Sequence, residues 1–309
     1  MENFVVSSAP YKHSGNDINK MFLYMAIALV IPGVFAVVTF GFYPLVIILL
    51  SLASCLLSEC LFNLITKKKF LVYDFSFFVT GMVLALTMPH KIPFYFVIAA
   101  GFVSIFVTKM AFGGLGRNKF NPALVGRCFV GLLSSSVATE FYKMTINGDV
   151  YVSLTEGGTN TLYNILMGKS VGGIGTTCVI VIVICFVALV YTGVIDFKIP
   201  VISILTYFIL GLIVNGFEPT LMDICSGSFL FVSIFMMTDP NTSPNTLVGK
   251  IIYSGLFGAL SFVLWNTGKL GENTVFAVAL FVNLLVPIMD KYLVVKPLTF
   301  GGMRNAYKD

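Results

Sequence analysis

Apolar runs recur along the whole chain at about the length that crosses a bilayer, and short polar connections separate them. The pattern predicts ten candidate spans, near 21–40, 43–66, 75–89, 93–109, 122–139, 176–194, 200–215, 220–237, 250–267 and 274–290. Several fall short of the roughly 20 residues that a straight span needs. The third and the eighth are the shortest or most interrupted. Each contains Gly or Ser and ends at proline, which makes them candidates for broken or half-spanning helices. The expected fold class is therefore an all-α polytopic membrane protein with about ten transmembrane helices. Residues 1–20 form an N-terminal segment, 21–292 a single transmembrane domain and 293–309 a tail.

Charge placement sets the orientation. With the N-terminus in the cytoplasm, fourteen lysines and arginines fall on the cytoplasmic side, among them Lys67, Lys68, Lys69, Lys109, Arg117, Lys119 and Lys198. Four fall on the other side, namely Lys91, Lys143, Lys169 and Lys269. That bias predicts cytoplasmic termini and an external loop at about 140–175. A loop of that length in a compact protein is usually functional or disordered.

The two halves echo each other. Asp74 opens a run that ends Thr87-Met-Pro89-His-Lys-Ile-Pro93, and Asp223 opens one that ends Thr238-Asp-Pro240-Asn-Thr-Ser-Pro244. The endings share Thr-x-Pro-x-x-x-Pro and sit on the third and eighth spans. An offset of five puts the copies on opposite sides of the membrane, as in an inverted 5+5 repeat with sites near the midplane.

Composition agrees. The chain is 57% hydrophobic and 11% charged, where a soluble domain carries about 25% charged residues. The net charge of +5 reflects topology signals in loops, so nucleic acid is not expected as a partner. The polar N-terminus lacks the features of a cleavable signal. Six cysteines form no CxxC pair and read as buried apolar side chains. His13 and His90 are too few for a histidine metal site. No acid–base pair marks a catalytic residue.

Two strings stand out chemically. In FGGLGRNKFNPALVGR (112–127), Gly113, Gly114 and Gly116 open the backbone to close approach. Asn118 and Asn121 offer amides either to a polar ligand or to the start of the next helix, and Pro122 suits a first helical turn. In FMMTDPNTSPNTLVGK (235–250), Asp239 and Thr242 can cap helix ends while the prolines stiffen the turn. Charged residues inside spans are expensive and commonly functional. Glu59 is the first choice to bind or relay an ion. Arg127 and Asp223 follow.

These strings, with TGMVLALTMP (80–89) and ENTVFAVALFVNLLVPIMDKY (272–292), resemble the RnfD family and, more distantly, the B subunit of the sodium-pumping NADH:quinone reductase. The resemblance implies a subunit of a prokaryotic cytoplasmic-membrane complex that passes electrons between ferredoxin and NAD, coupled to Na⁺ or H⁺ movement. It implies a fold like that of urea transporters, iron–sulfur and flavin membrane subunits as partners, and lipid as surroundings. It also implies an FMN joined through its phosphate to a threonine of an external loop, and a second, non-covalent flavin (riboflavin or FMN) in the membrane core. Gly113, Gly114, Asn118, Asn121, Thr238 and Asp239 are the matching positions that would contact cofactor.

The covalent site departs from the family's Asp-x-x-Ser/Thr-x-Ala-Thr pattern. Thr155 keeps the spacing from Asp149 but has Val152 and Leu154 in place of the Ser/Thr and Ala. Thr159 keeps a small-residue context after Gly157 and Gly158, and Thr161 precedes Leu162. The order of preference is Thr155, Thr159, Thr161. Two other readings remain open at this point. One is a small-solute channel of urea-transporter type without a redox role. The other is the B subunit of the quinone reductase, whose N-terminal extension is longer.

Overall fold

The computed structural model describes residues 18–66, 75–111, 114, 118, 120–133, 145–146, 149–150, 161–168, 172–225, 228–267 and 273–293. Twelve helical elements are assigned among them: α1 (Ile18–Phe40), α2 (Phe42–Thr66), α3 (Ser76–Leu86), α4 (Phe94–Met110), α5 (Pro122–Leu133), α6 (Thr161–Leu166), α7 (Val179–Tyr191), α8 (Lys198–Val214), α9 (Phe217–Cys225), α10 (Phe229–Met236), α11 (Leu247–Asn266) and α12 (Asn273–Tyr292). The second half of α4, Val103–Met110, and most of α10, Val232–Met236, are wound as π-helix. A two-residue ribbon, β1 (Thr145–Ile146) against β2 (Asp149–Val150), adds antiparallel pairing that a purely helical reading does not include.

The protein is a multi-pass membrane protein. Four helices, α1, α2, α11 and α12, are long and apolar enough to cross a bilayer on their own. The bent pair α9–α10 passes the same test as a unit, and α3, α4, α5, α7 and α8 are shorter apolar helices. Their outward faces carry residues such as Val38, Leu57, Leu64, Ile213 and Phe281, all exposed. Lipid tails cover such surface at no cost.

Polar groups turn inward. On α2, Ser51 and Ser54 share the buried face and donate to Gly81 O of α3 at 2.8 Å and Ile98 O of α4 at 2.7 Å. Hydroxyls used this way tie helices together where apolar burial supplies no drive. Helix α2 thus packs on both α3 and α4, and α8 packs on α9 and α11, while α5 meets α12 and α1 meets α7.

The short apolar helix α3 ends among backbone partners. Its 11 residues rise about 16 Å, about half of a hydrocarbon core. The carbonyls past its end then need partners. Gly175 N donates to Leu86 O at 2.9 Å, Ile174 N to Met88 O at 2.9 Å, and Arg127 Nε to Thr87 O at 3.1 Å. A Cβ on Gly173 would lie 2.7 Å from Leu86 O, so glycine is what lets this turn approach. Within the stretch expected as a loop at about 140–175, residues 172–175 are buried against α3, and Thr161–Leu166 form the short helix α6.

Candidate functional site

The connections after α4 and α10 meet near the start of α3. Asn121 immediately precedes α5 and accepts from Ala123 N at 3.1 Å and Leu124 N at 3.4 Å through Oδ1, which is N-cap geometry. Its Nδ2 donates to Met236 O, the last carbonyl of α10, at 3.1 Å. Asn283 of α12 joins the same junction: it accepts from Asn121 N and donates to Thr242 O. Asn121 therefore caps α5 and also ties it to the end of α10. Thr238 turns its hydroxyl back to Ile234 O and is buried. Asp239 accepts from Asn241 N and Thr242 Oγ1, both at 3.2 Å, which closes a turn rather than capping a helix; the start of α11 is capped instead by Thr246, which accepts from Gly249 N.

A cavity of about 180 Å³ opens beside this junction. Asn118, Asn121 and Asp239 line it, as do Thr80 of α3 and Lys109 of α4, with Met25, Val83 and Phe235 among the apolar walls. Three of the four strings singled out by their likeness, 80–89, 112–127 and 235–250, thus supply lining residues. An apolar pocket with a few convergent polar groups is the usual form of a small-molecule site. Asn118 is buried; its Nδ2 donates to Phe120 O at 3.3 Å, while its Oδ1 has no hydrogen-bond partner among the described residues. A buried amide oxygen left unmatched loses a hydrogen bond's worth of stability, so a donor arriving in the cavity would be favoured there. Gly114 sits at φ 97°, a left-handed conformation that suits glycine, and its N–H closes on Lys109 O at 3.1 Å.

Lys109 corrects its assignment as a loop charge that sets topology. It lies in the π-helical part of α4 with 2% exposure. Its Nζ donates to Glu59 Oε1 at 3.2 Å, to Glu59 Oε2 at 3.1 Å and to Ser76 Oγ at 2.6 Å. Glu59, buried on α2, is thus ion-linked from within the chain. Sequence reasoning missed this partner. Ser76 is delivered by Phe75, whose φ of 43° is unusual for a residue with a side chain.

The remaining candidates fall elsewhere. Asp223, half-buried on α9, is hydrogen-bonded by Trp265 and does not line this cavity. Arg127, fully buried on α5, stacks over the Phe276 ring with its guanidinium carbon 4.5 Å from the centroid. Thr161 opens α6. Thr155, Thr159 and Gly113 lie outside the described residues.

Outside the membrane helices, Asp196 between α7 and α8 holds Lys250 Nζ at 2.8 Å and accepts from Lys198 N. Partial burial opposes its charge, but the bonds from Lys250 and Lys198 and the two lysine charges outweigh that and hold the carboxyl below its usual range.

A model of the NQR2, RnfD, RnfE family matches residues 5–301. The D subunit of the proton-translocating ferredoxin:NAD(+) oxidoreductase complex of Clostridium ljungdahlii is 29% identical, with 97% of each chain covered. The D subunit of the Na(+)-translocating ferredoxin:NAD(+) oxidoreductase complex of Acetobacterium woodii is 28% identical over 94% of this chain and 93% of that one. The D subunit of the ion-translocating oxidoreductase complex of Stutzerimonas stutzeri is also 28% identical, over 94% of both.

Proposed function

The chain belongs to the NQR2, RnfD, RnfE family, and from that premise we propose that it is the flavin-carrying membrane subunit of an Rnf-type complex coupling electron transfer between ferredoxin and NAD to cation movement. The observation that carries the flavin part is the cavity: three family-like strings wall it, and the buried Oδ1 of Asn118 faces no donor among the described residues. A flavin, when bound, supplies one- or two-electron carriage. The chain's own residues do the rest. Asn118 would accept from the polar edge of the ring. Asn121 and Asp239 would fix the rim of the site, each already held by backbone partners. Met25, Val83 and Phe235 would cover the ring's faces and keep water out.

The second flavin of this reading is an FMN in phosphoester linkage to a threonine of the external loop, Thr155 first, then Thr159 and Thr161. That loop would put it on the opposite side of the membrane from the cavity. Two relatives of nearly equal similarity carry the names of different ions, H⁺ and Na⁺, so likeness favours neither for this chain. Iron–sulfur and flavin subunits of the same complex are the expected neighbours, in a prokaryotic cytoplasmic membrane with both termini inside.

The same reading gives the fold ten spanning segments in an inverted repeat. The packing supports this. The second segment, α2, meets the third and fourth, α3 and α4; five later, α8 meets α9–α10 and α11; and the fifth, α5, meets the tenth, α12.

The test is genetic and enzymatic. Membranes from cells lacking this chain should lose ferredoxin-dependent reduction of NAD and regain it when the chain is restored. Undiminished activity in the deletion would refute the assignment.

A further inference from the structure

Lys109 belongs to two sites at once. Its side chain and that of Ser76, which its ammonium bonds, belong to residues that line the cavity, while Glu59, on the other side of that bond, does not. We propose that Lys109 is a charge-positioning residue shared between Glu59 and the cavity: its ammonium neutralises Glu59 while the cavity's flavin is oxidised and shifts toward the flavin when an electron arrives, so that Glu59 takes up one cation. This rests on reading the cavity as a flavin site.

The argument starts from charge. Glu59 and Lys109 have side chains only 11% and 3% exposed, so their attraction acts in a medium that screens little. All three ammonium protons are committed, two to the carboxylate and one to Ser76. A lysine ammonium rides on a flexible four-carbon stem and can change partners without backbone movement. The π-helical winding of Val103–Met110 places this stem between α2 and α3. The Ser76 hydroxyl, common to the pair and to the cavity wall, gives the ammonium a fixed partner along the way.

A negative charge appearing in the cavity acts on Nζ at low dielectric, where Coulomb attraction is many times its value in water. The balance is simple: one electron, supplied by the ferredoxin side of the complex, enters the cavity without a proton, and one cation enters at Glu59. Neither charge is left alone. Among the described residues the other titratable groups around this pair are Asp239 on the cavity wall, Cys55 on α2, beside both charges, and Cys60 on α2, next to Glu59 in the chain. Asp239 is held by Asn241 N and Thr242 Oγ1 on a separate connection, so it stays in place while the lysine moves.

The linkage is reciprocal, so cation binding at Glu59 must raise the midpoint potential of the cavity flavin. The experiment titrates that potential spectroelectrochemically in the purified complex, varying NaCl and pH separately. The parent complex should show a rise with one of the two cations, approaching a tenfold change in the reduction equilibrium per tenfold change in cation, or about 59 mV for one electron. Glu59→Gln should flatten the dependence. Lys109→Met should lower the potential and flatten it too. The pair Glu59→Gln with Lys109→Met removes both charges while keeping similar bulk, and it guards against misfolding of the single variants; it should bind flavin with a flat response. A cation-independent potential in the parent complex, or an unchanged slope in flavin-loaded Glu59→Gln, overturns the proposal while leaving the flavin site standing. Absence of extractable flavin from the parent complex overturns both.

Discussion

Replacing Asn121 by alanine tests whether one side chain holds the junction together. Two things are lost. The N-cap bonds to Ala123 N and Leu124 N disappear, which typically costs about 1 kcal/mol. The donor to Met236 O also goes. Interhelical bonds in membranes average only ~0.6 kcal/mol, but a buried carbonyl left without a donor costs about 1–3 kcal/mol. The combined loss should therefore be about 1.5–4 kcal/mol. Asn121→Ser separates the parts. A serine caps a helix start nearly as well, but it is too short to reach Met236 O, so it should recover about 1 kcal/mol and no more. The assay is equilibrium unfolding in mixed micelles followed by circular dichroism. An Asn121→Ala protein within about 0.5 kcal/mol of the parent, below the range of either loss, would refute the reasoning. So would an Asn121→Ser protein no more stable than the alanine variant.

Other consequences are open to simpler measurement. Gly173→Ala places a Cβ 2.7 Å from Leu86 O and 2.8 Å from Thr87 C, both backbone atoms that cannot step aside, and should lower stability by about 1–3 kcal/mol in the same unfolding assay. Lys250→Gln removes the bond that holds Asp196 charged; at neutral pH it should cost at most about 1 kcal/mol, because the pair is partly exposed. Asp196 has a lowered folded-state pKa, so its contribution is complete above the usual carboxylate range and is lost as pH falls through the lowered value; parent and variant stabilities should converge at acid pH. Thiol labelling of intact cells should reach Ser153→Cys and not Lys68→Cys, and the reverse pattern would overturn the orientation.

Much of the architecture was legible because lipid leaves little choice. Runs that are apolar all round, bounded by Lys and Pro, read directly as helices, and the interruptions in the third and eighth runs read as breaks. Asn121 followed by Pro122 announced a helix start, and its cap is formed. The misreadings have physical causes. Lys109 precedes a glycine-rich connection and so reads as a loop charge; only the π-helical winding before it, which period-based reading cannot detect, turns it inward onto Glu59. The segment Gly172–Gly175 offers a single apolar side chain, Ile174, among three glycines, too little to signal burial by pattern. Its place is set by the carbonyls of Leu86 and Met88, partners supplied by the backbone and invisible to composition. The junction at the cavity joins residues 162 positions apart, as the bond from Asn121 to Asn283 shows. No local pattern encodes that meeting.

Flavin content tests the central claim most directly. The purified chain, run on a denaturing gel and excited at flavin wavelengths, should fluoresce, and peptide mass spectrometry should place the mass of FMN less water on Thr155, or on Thr159 or Thr161. Acid extraction of the native protein should release a second, non-covalent flavin, in reduced amount from an Asn118→Leu variant. A chain that is dark on the gel, unmodified across 147–178 and free of extractable flavin would contradict the account.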